Sequence, residues 1–119
     1  CGWKGPMLDT LARVRSGEAD PDCKRCGGVL KSDTISFGQA LVPEVIERAM
    51  RCAESADLML AVGTTLQVYP AAHAVPVARS NGARIVIINA QPTQYDAIAD
   101  AVVREPIADV LPHICGLGR

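Results

Sequence analysis

The sequence predicts an α/β fold, a parallel sheet with helices on both faces, preceded by a small cysteine-rich lobe. Three observations predict it. From residue 33 onward, short β-prone apolar runs alternate with stretches of helical periodicity. The run Ile85-Val86-Ile87-Ile88 is apolar on both faces, the texture of a central parallel strand covered on each side. Residues 1–32 are instead rich in Cys, Gly, Pro, Asp and charge, with too little apolar material to hold together by burial alone.

Composition excludes several classes. Of the 119 residues 49% are hydrophobic and the net charge is −1, too apolar and too neutral for a disordered chain. That charge gives no reason to expect nucleic acid or an anionic membrane as partner. No apolar run approaches the roughly 20 residues of a membrane span. No charged leader followed by an apolar stretch marks a signal peptide, and the opening on Cys1 reads as part of a longer protein. The chain has five cysteines, an odd number, and two of them form Cys23-Lys24-Arg25-Cys26. Such a pair without a secretory feature points to metal or redox chemistry in a reducing, cytoplasmic setting.

The elements follow in order. Met7 to Val14 is a short helix, closed by the loop Ser16–Asp22, and Gly27-Gly28 is a further break. Thr34-Ile35-Ser36-Phe37 is a short β-prone run ending at Gly38. Pro43 suits a helix's first turn, where its missing N–H costs nothing. Val42, Val45, Ile46, Ala49, Met50 and Ala53 then form one apolar face. Leu58–Val62 is a strand, and Ala71–Ser80 a helix that must accommodate Pro76 and stops at Asn81-Gly82. After Ile85–Ile88 come a weaker strand, Ala101–Val103, and a last helix, Pro106–Ile114.

In open parallel sheets, ligands bind at the carboxyl ends of strands. Two segments leave that edge with chemistry attached, Gly63-Thr64-Thr65 and Asn89-Ala90-Gln91-Pro92-Thr93. Gly63 permits close backbone approach to a phosphate or ribose, the threonines add hydroxyls, and Asn89 can bond a ribose diol. Ordinary capped turns explain the same residues equally well, because no Gly-x-Gly-x-x-Gly is present. Cys23-x-x-Cys26 is half of a four-cysteine zinc site or, in the alternative, a redox dithiol. Cys1, twenty-two positions before Cys23, reads as one member of an earlier pair. Cys52 and Cys115 have no partner spacing and are expected as small core residues. His73 and His113 have no nucleophile or carboxylate at a spacing that makes a dyad, so packing or surface roles are expected.

The ordered motifs resemble a known family. Cys1…Cys23-x-x-Cys26-Gly-Gly-Val-Leu-Lys31-Ser32-Asp33, Ile35-Ser36-Phe37-Gly38-Gln39, Val62-Gly63-Thr64-Thr65-Leu66-Gln67-Val68-Tyr69-Pro70 and Ile88-Asn89 are similar to the C-terminal half of sirtuins. These are NAD-dependent protein deacylases, and the flavour is bacterial, of the actinobacterial type. The resemblance covers essentially the whole chain. It implies part of a Rossmann-like NAD-binding domain over residues 33–119 and part of a zinc-binding lobe over 1–32. It further implies that Gly63, Thr64, Thr65, Asn89, Ala90, Gln91 and Ile107 contact NAD. Ile35, Phe37, Gly38 and Gln39, with Gln67, Val68 and Tyr69, would clamp the acyl-lysine peptide as an added strand. Cys1, Cys23 and Cys26 would supply three of the four ligands of a structural zinc.

The family's reaction transfers the acyl group of a protein lysine to NAD, giving nicotinamide and O-acyl-ADP-ribose. Its glycine-rich cofactor loop and catalytic histidine lie upstream of the zinc cysteines. No catalytic residue is therefore expected among these 119, and the stretch alone is expected to be inactive and to self-associate through uncovered sheet. Three positions depart from the family's commoner residues: Thr65 stands for serine and keeps the hydroxyl, Gln39 for glutamate, and Ser32 for proline. A non-catalytic NAD or ADP-ribose module with a zinc knuckle is the alternative reading, and a zinc-stabilised interaction segment a third.

Overall fold

The computed structural model describes residues 1–116. The chain divides into two compact units, Cys1–Ala40 and Leu41–Arg119.

In the first unit, helix α1 (Met7–Arg15) is the one regular element among the described residues. It buries no side chain completely. Arg13 ties its end to the following loop, donating to both carboxylate oxygens of Glu18 and to the Asp22 carbonyl. Cys23 is the unit's one buried hydrophobic residue. The β-prone run Thr34–Phe37 is not a strand here. It finds no partner among the described residues, and a lone short strand has no ladder to join. A turn takes its place: Gln39 donates its N–H to the Ser36 carbonyl and accepts the Ser36 N–H through Oε1.

The second unit holds α2 (Pro43–Glu54), β1 (Leu58–Val62), α3 (Ala74–Ser80), β2 (Arg84–Ile88), β3 (Ala101–Val103) and α4 (Ile107–Ile114). All strand pairings are parallel in the order β1-β2-β3, with Leu58 opposite Arg84 and Val62 opposite Ile88. The expected helix from Ala71 splits into a 3₁₀ turn, Ala71–His73, and α3. This split places Pro76 in the first turn of α3, where a missing N–H has no intrahelical partner to lose.

The core lies where α3 meets the sheet. Ile85 and Ile87 of β2 are fully buried and cluster with Ala61, Leu66, Ala72, Val75, Ala78 and Ala53. Alanines at 72 and 78 let the helical backbone approach the β-branched strand closely. Helix α2 packs behind α3. On the other face, cover over β1 is thin: Leu58 and Leu60 remain 51% and 39% exposed. Asp100 anchors the approach to β3, its carboxylate accepting the Ile85 N–H at 2.7 Å and pairing with Arg79. Cys52 and Cys115, expected in the core, are both exposed. Cys52 precedes the buried Ala53, a rotation of about 100° round the helix, and Cys115 is the C-cap of α4, a helix that buries no residue completely. None of the described helices is long and apolar enough to cross a membrane.

Truncating Ile87 to Ala should cost about 2–5 kcal/mol through lost burial and a cavity that α3 cannot fill. Denaturant unfolding measures it.

Candidate functional site

Within the first unit, three cysteine sulfurs converge. The Sγ atoms of Cys1, Cys23 and Cys26 all lie within 4.8 Å of one another, and Cys1 Sγ stands 3.8 Å from Cys23 Sγ. All three are free thiols. A tetrahedral ion with Zn–S bonds of about 2.3 Å needs sulfurs about 3.8 Å apart. The spacing fits such an ion and is far beyond the roughly 2 Å of a disulfide.

The turn that achieves this is local. Cys23 accepts the N–H groups of Cys26 and Gly27 on its carbonyl and donates its own N–H to Gly28. Gly27 has φ +69°, and a Cβ on Gly28 would lie 3.3 Å from Cys26 Sγ. The backbone N–H groups of Arg25 and Cys26 hold the Cys23 thiol below the usual range despite burial. Thiolate is the form that ligates metal.

The second unit carries the loops at the carboxyl edge. Because Val62 pairs with Ile88, Gly63 and Asn89 leave adjacent strands at the same level. Gly63 donates to the Ile88 carbonyl at 2.9 Å and has φ +63°. A Cβ there would meet Ile107 Cδ1, the first residue of α4, at 3.0 Å. Thr64 Oγ1 accepts the Leu66 N–H at 3.1 Å. Leu66 is buried and holds a left-handed conformation, φ +56°, unusual for a side chain of that size. Thr65 is exposed, as are Gln67, Val68 and Tyr69.

Asn89 is 8% exposed, the one buried polar side chain among the described residues. It donates its backbone N–H to Val103 and its side-chain amide to the Gln91 carbonyl at 2.8 Å. Arg104, just after β3, donates to the carbonyls of Asn89 at 2.7 Å and Gln91 at 2.9 Å, and pairs with Asp96. Asp96 also accepts the Thr93 hydroxyl at 2.8 Å and the Thr93 N–H at 3.2 Å. Its carboxyl is held below the usual range, first by the Thr93 hydroxyl and then, against desolvation, by the Thr93 N–H and Arg104. Arg104 and Asp96 thus fix the loop that carries Asn89, Ala90 and Gln91.

Sequence reasoning missed both residues. Thr93-x-x-Asp96 has the spacing of a reciprocal cap and was a readable signal. Arg104 was not readable, since it acts on carbonyls 13 and 15 residues away.

Of the expected site residues, the structure brings together the three cysteines in one unit and Gly63, Asn89 and Ile107 at one sheet edge in the other. Ile35, Phe37, Gly38 and Gln39 lie in the first unit and Gln67, Val68 and Tyr69 in the second. Phe37 is 93% exposed. His73 and His113 are exposed; His113 Nδ1 lies 2.9 Å from the Asp109 carbonyl of its own helix.

The model of the Sir2 family matches residues 1–70, more than half of the chain. The chain belongs to the Sir2 family. It is 51% identical over 119 residues to NAD-dependent protein deacetylase 2 of Streptomyces coelicolor, covering 99% of this chain and 49% of that protein. It is 44% identical over 107 residues to the NAD-dependent protein deacetylase of Sulfolobus acidocaldarius, covering 90% of this chain and 41% of that one. A solved Sir2 structure with a p53 peptide and NAD+ superposes with TM-score 0.79 at 26% identity, covering 99% of this chain and 50% of that one. A second, from work on the mechanism and regulation of Sir2 enzymes, gives 0.80 at 32% identity, covering 96% and 46%. This Sir2-family chain thus spans about half the length of the curated relatives it matches.

The depressed pKa of Asp96 sets a pH dependence for the Sir2-family loop. Its stabilisation is present above the unfolded carboxyl value of about 3.9 and is lost as pH falls through the lower folded value. Asp96→Asn should therefore be less stable than wild type at neutral pH, with the gap closing in acid. Thermal unfolding across a pH series checks this.

Proposed function

We propose that this chain carries the zinc knuckle, the peptide-clamp segments and part of the NAD site of an NAD-dependent protein-lysine deacetylase. The observation that carries the proposal is the side-by-side exit of Gly63 and the buried Asn89 from paired strand ends.

Each residue has a role that its surroundings suit. Gly63, with φ +63° and no Cβ to meet Ile107, lets the cofactor segment pack closely against the start of α4 while keeping its backbone exposed. Thr64 and Thr65 supply hydroxyls. Asn89, with Ala90 and Gln91, would hold the adenosine ribose, and Ile107 would touch the adenine end. NAD, when bound, would supply a ribose whose C1 takes the amide oxygen as nicotinamide leaves and whose hydroxyl keeps the acyl group; with one water consumed, the products are nicotinamide, free lysine and O-acyl-ADP-ribose. Gln67, Val68 and Tyr69, exposed and following directly on the cofactor segment, would pair with the peptide backbone, as would Ile35 and Phe37 to Gln39. Backbone pairing makes little demand on peptide sequence.

Cys1, Cys23 and Cys26 would hold a structural zinc, with a fourth ligand outside them. In a unit whose one buried hydrophobic residue is itself a cysteine, the ion substitutes for a core. The two histidines have no setting that makes either a general base, so the 119 residues by themselves are read as inactive.

Three outcomes test this. The full-length protein should release O-acetyl-ADP-ribose from NAD and an acetyl-lysine peptide, detected by mass spectrometry, while the isolated 119 residues should not. Saturable NAD binding without turnover by the full-length protein would instead favour a non-catalytic module. Asn89→Ala should raise the KM for NAD by roughly tenfold or more, the cost of a lost buried hydrogen-bonding group. Metal analysis should find about one zinc per chain, lost in Cys23→Ser together with the ordered lobe.

A further inference from the structure

Two residues at the carboxyl edge, Gln94 and Tyr95, have no part in the roles above. Gln94, on the loop after β2, donates through Nε2 to the Leu66 carbonyl at 2.6 Å and to the Tyr69 hydroxyl at 3.2 Å. Tyr69 in turn shares a hydrogen bond of 2.6 Å with the Tyr95 hydroxyl. The loop after β1 is therefore laced to the loop that carries Asn89 through one amide and two phenols.

The placement of these bonds is selective. Leu66 is the pivot between the cofactor segment Gly63–Thr65 and the clamp segment Gln67–Tyr69. The side before the pivot is held without Gln94, by the Gly63 N–H on Ile88 and the Leu66 N–H on Thr64. Both acceptors of Gln94 lie at or after the pivot. A buried residue with positive φ keeps that conformation only where its surroundings impose it. Here its N–H is bound from one side and its carbonyl from the other.

We infer that Gln94 is a positioning residue for the acyl-lysine peptide, holding the clamp strand Gln67–Tyr69 in its binding conformation from the cofactor loop. This rests on the functional reading above. Gln94 acts through Leu66 and Tyr69. Its two amide hydrogens suit the task, because one side chain can donate to two acceptors in a plane. Tyr95, half-buried against the core beneath, gives Tyr69 a fixed partner.

The test uses the full-length enzyme and separates the two Michaelis constants. Gln94→Ala should raise the KM for an acetyl-lysine peptide about tenfold while the KM for NAD stays within about twofold. Gln94→Met keeps the volume but cannot donate, so it should match Ala. Tyr95→Phe should raise the peptide KM by about threefold, and its effect should be non-additive with Gln94→Ala. Melting temperatures within a few degrees of wild type would show that the fold survives. An active wild type whose Gln94 variants keep the wild-type peptide KM overturns the positioning role alone. So does full rescue by Met, which would make the residue a filler. A wild type without NAD-dependent deacetylation overturns the functional reading and this inference with it.

Discussion

The structure depends on the parallel register of β1 and β2. Pairing Val62 with Ile88 ends both strands at one level, so Gly63 and Asn89 start their loops side by side. Packing enforces that register. Ile85 and Ile87 must face α3 to be buried, and a slip of one residue would turn them outward and bring Arg84 and Val86 in. The core thus fixes the geometry of the site before any site residue contributes.

Above the strands, the loops are held by polar groups. Arg104 binds two carbonyls and a carboxylate at once, a task for a planar fork that a lysine ammonium does not perform. Gly63 has no room for a side chain against Ile107, and Leu66 sits in a conformation that its two backbone bonds impose. The edge is therefore preorganised, and little ordering cost is left for a ligand to meet. The first unit solves a different problem. With one α-helix and almost no core, it gathers three thiols at the spacing of a tetrahedral ion.

Much of this was legible in the residues. The β1 and β3 boundaries fell where the apolar runs and their flanking polar residues put them, and β2 began one residue earlier, at Arg84. Pro43 and Asn81-Gly82 marked helix ends by their backbone constraints. The spacing of Cys23 and Cys26, with Cys1 before them, anticipated three sulfurs that do converge. Other features were hidden because they depend on neighbours. Thr34–Phe37 has strand composition but no partner strand among the described residues. Cys52 and Cys115 look apolar in sequence and stand in solvent, because helix rotation rather than hydropathy decides which side is buried. Gln94, Asp96 and Arg104 are ordinary polar residues until the fold sets their targets beside them.

In the proposed function, two loops leaving paired strands serve two ligands, one on each side of Leu66. A crystal structure of the full-length protein with NAD and an acetyl-lysine peptide tests it most directly. The expected result is the adenosine ribose beside Asn89, cofactor against Gly63–Thr65, and peptide backbone paired with Gln67–Tyr69. Cofactor bound away from Gly63 and Asn89, or peptide density with no backbone pairing to Gln67–Tyr69, would contradict it.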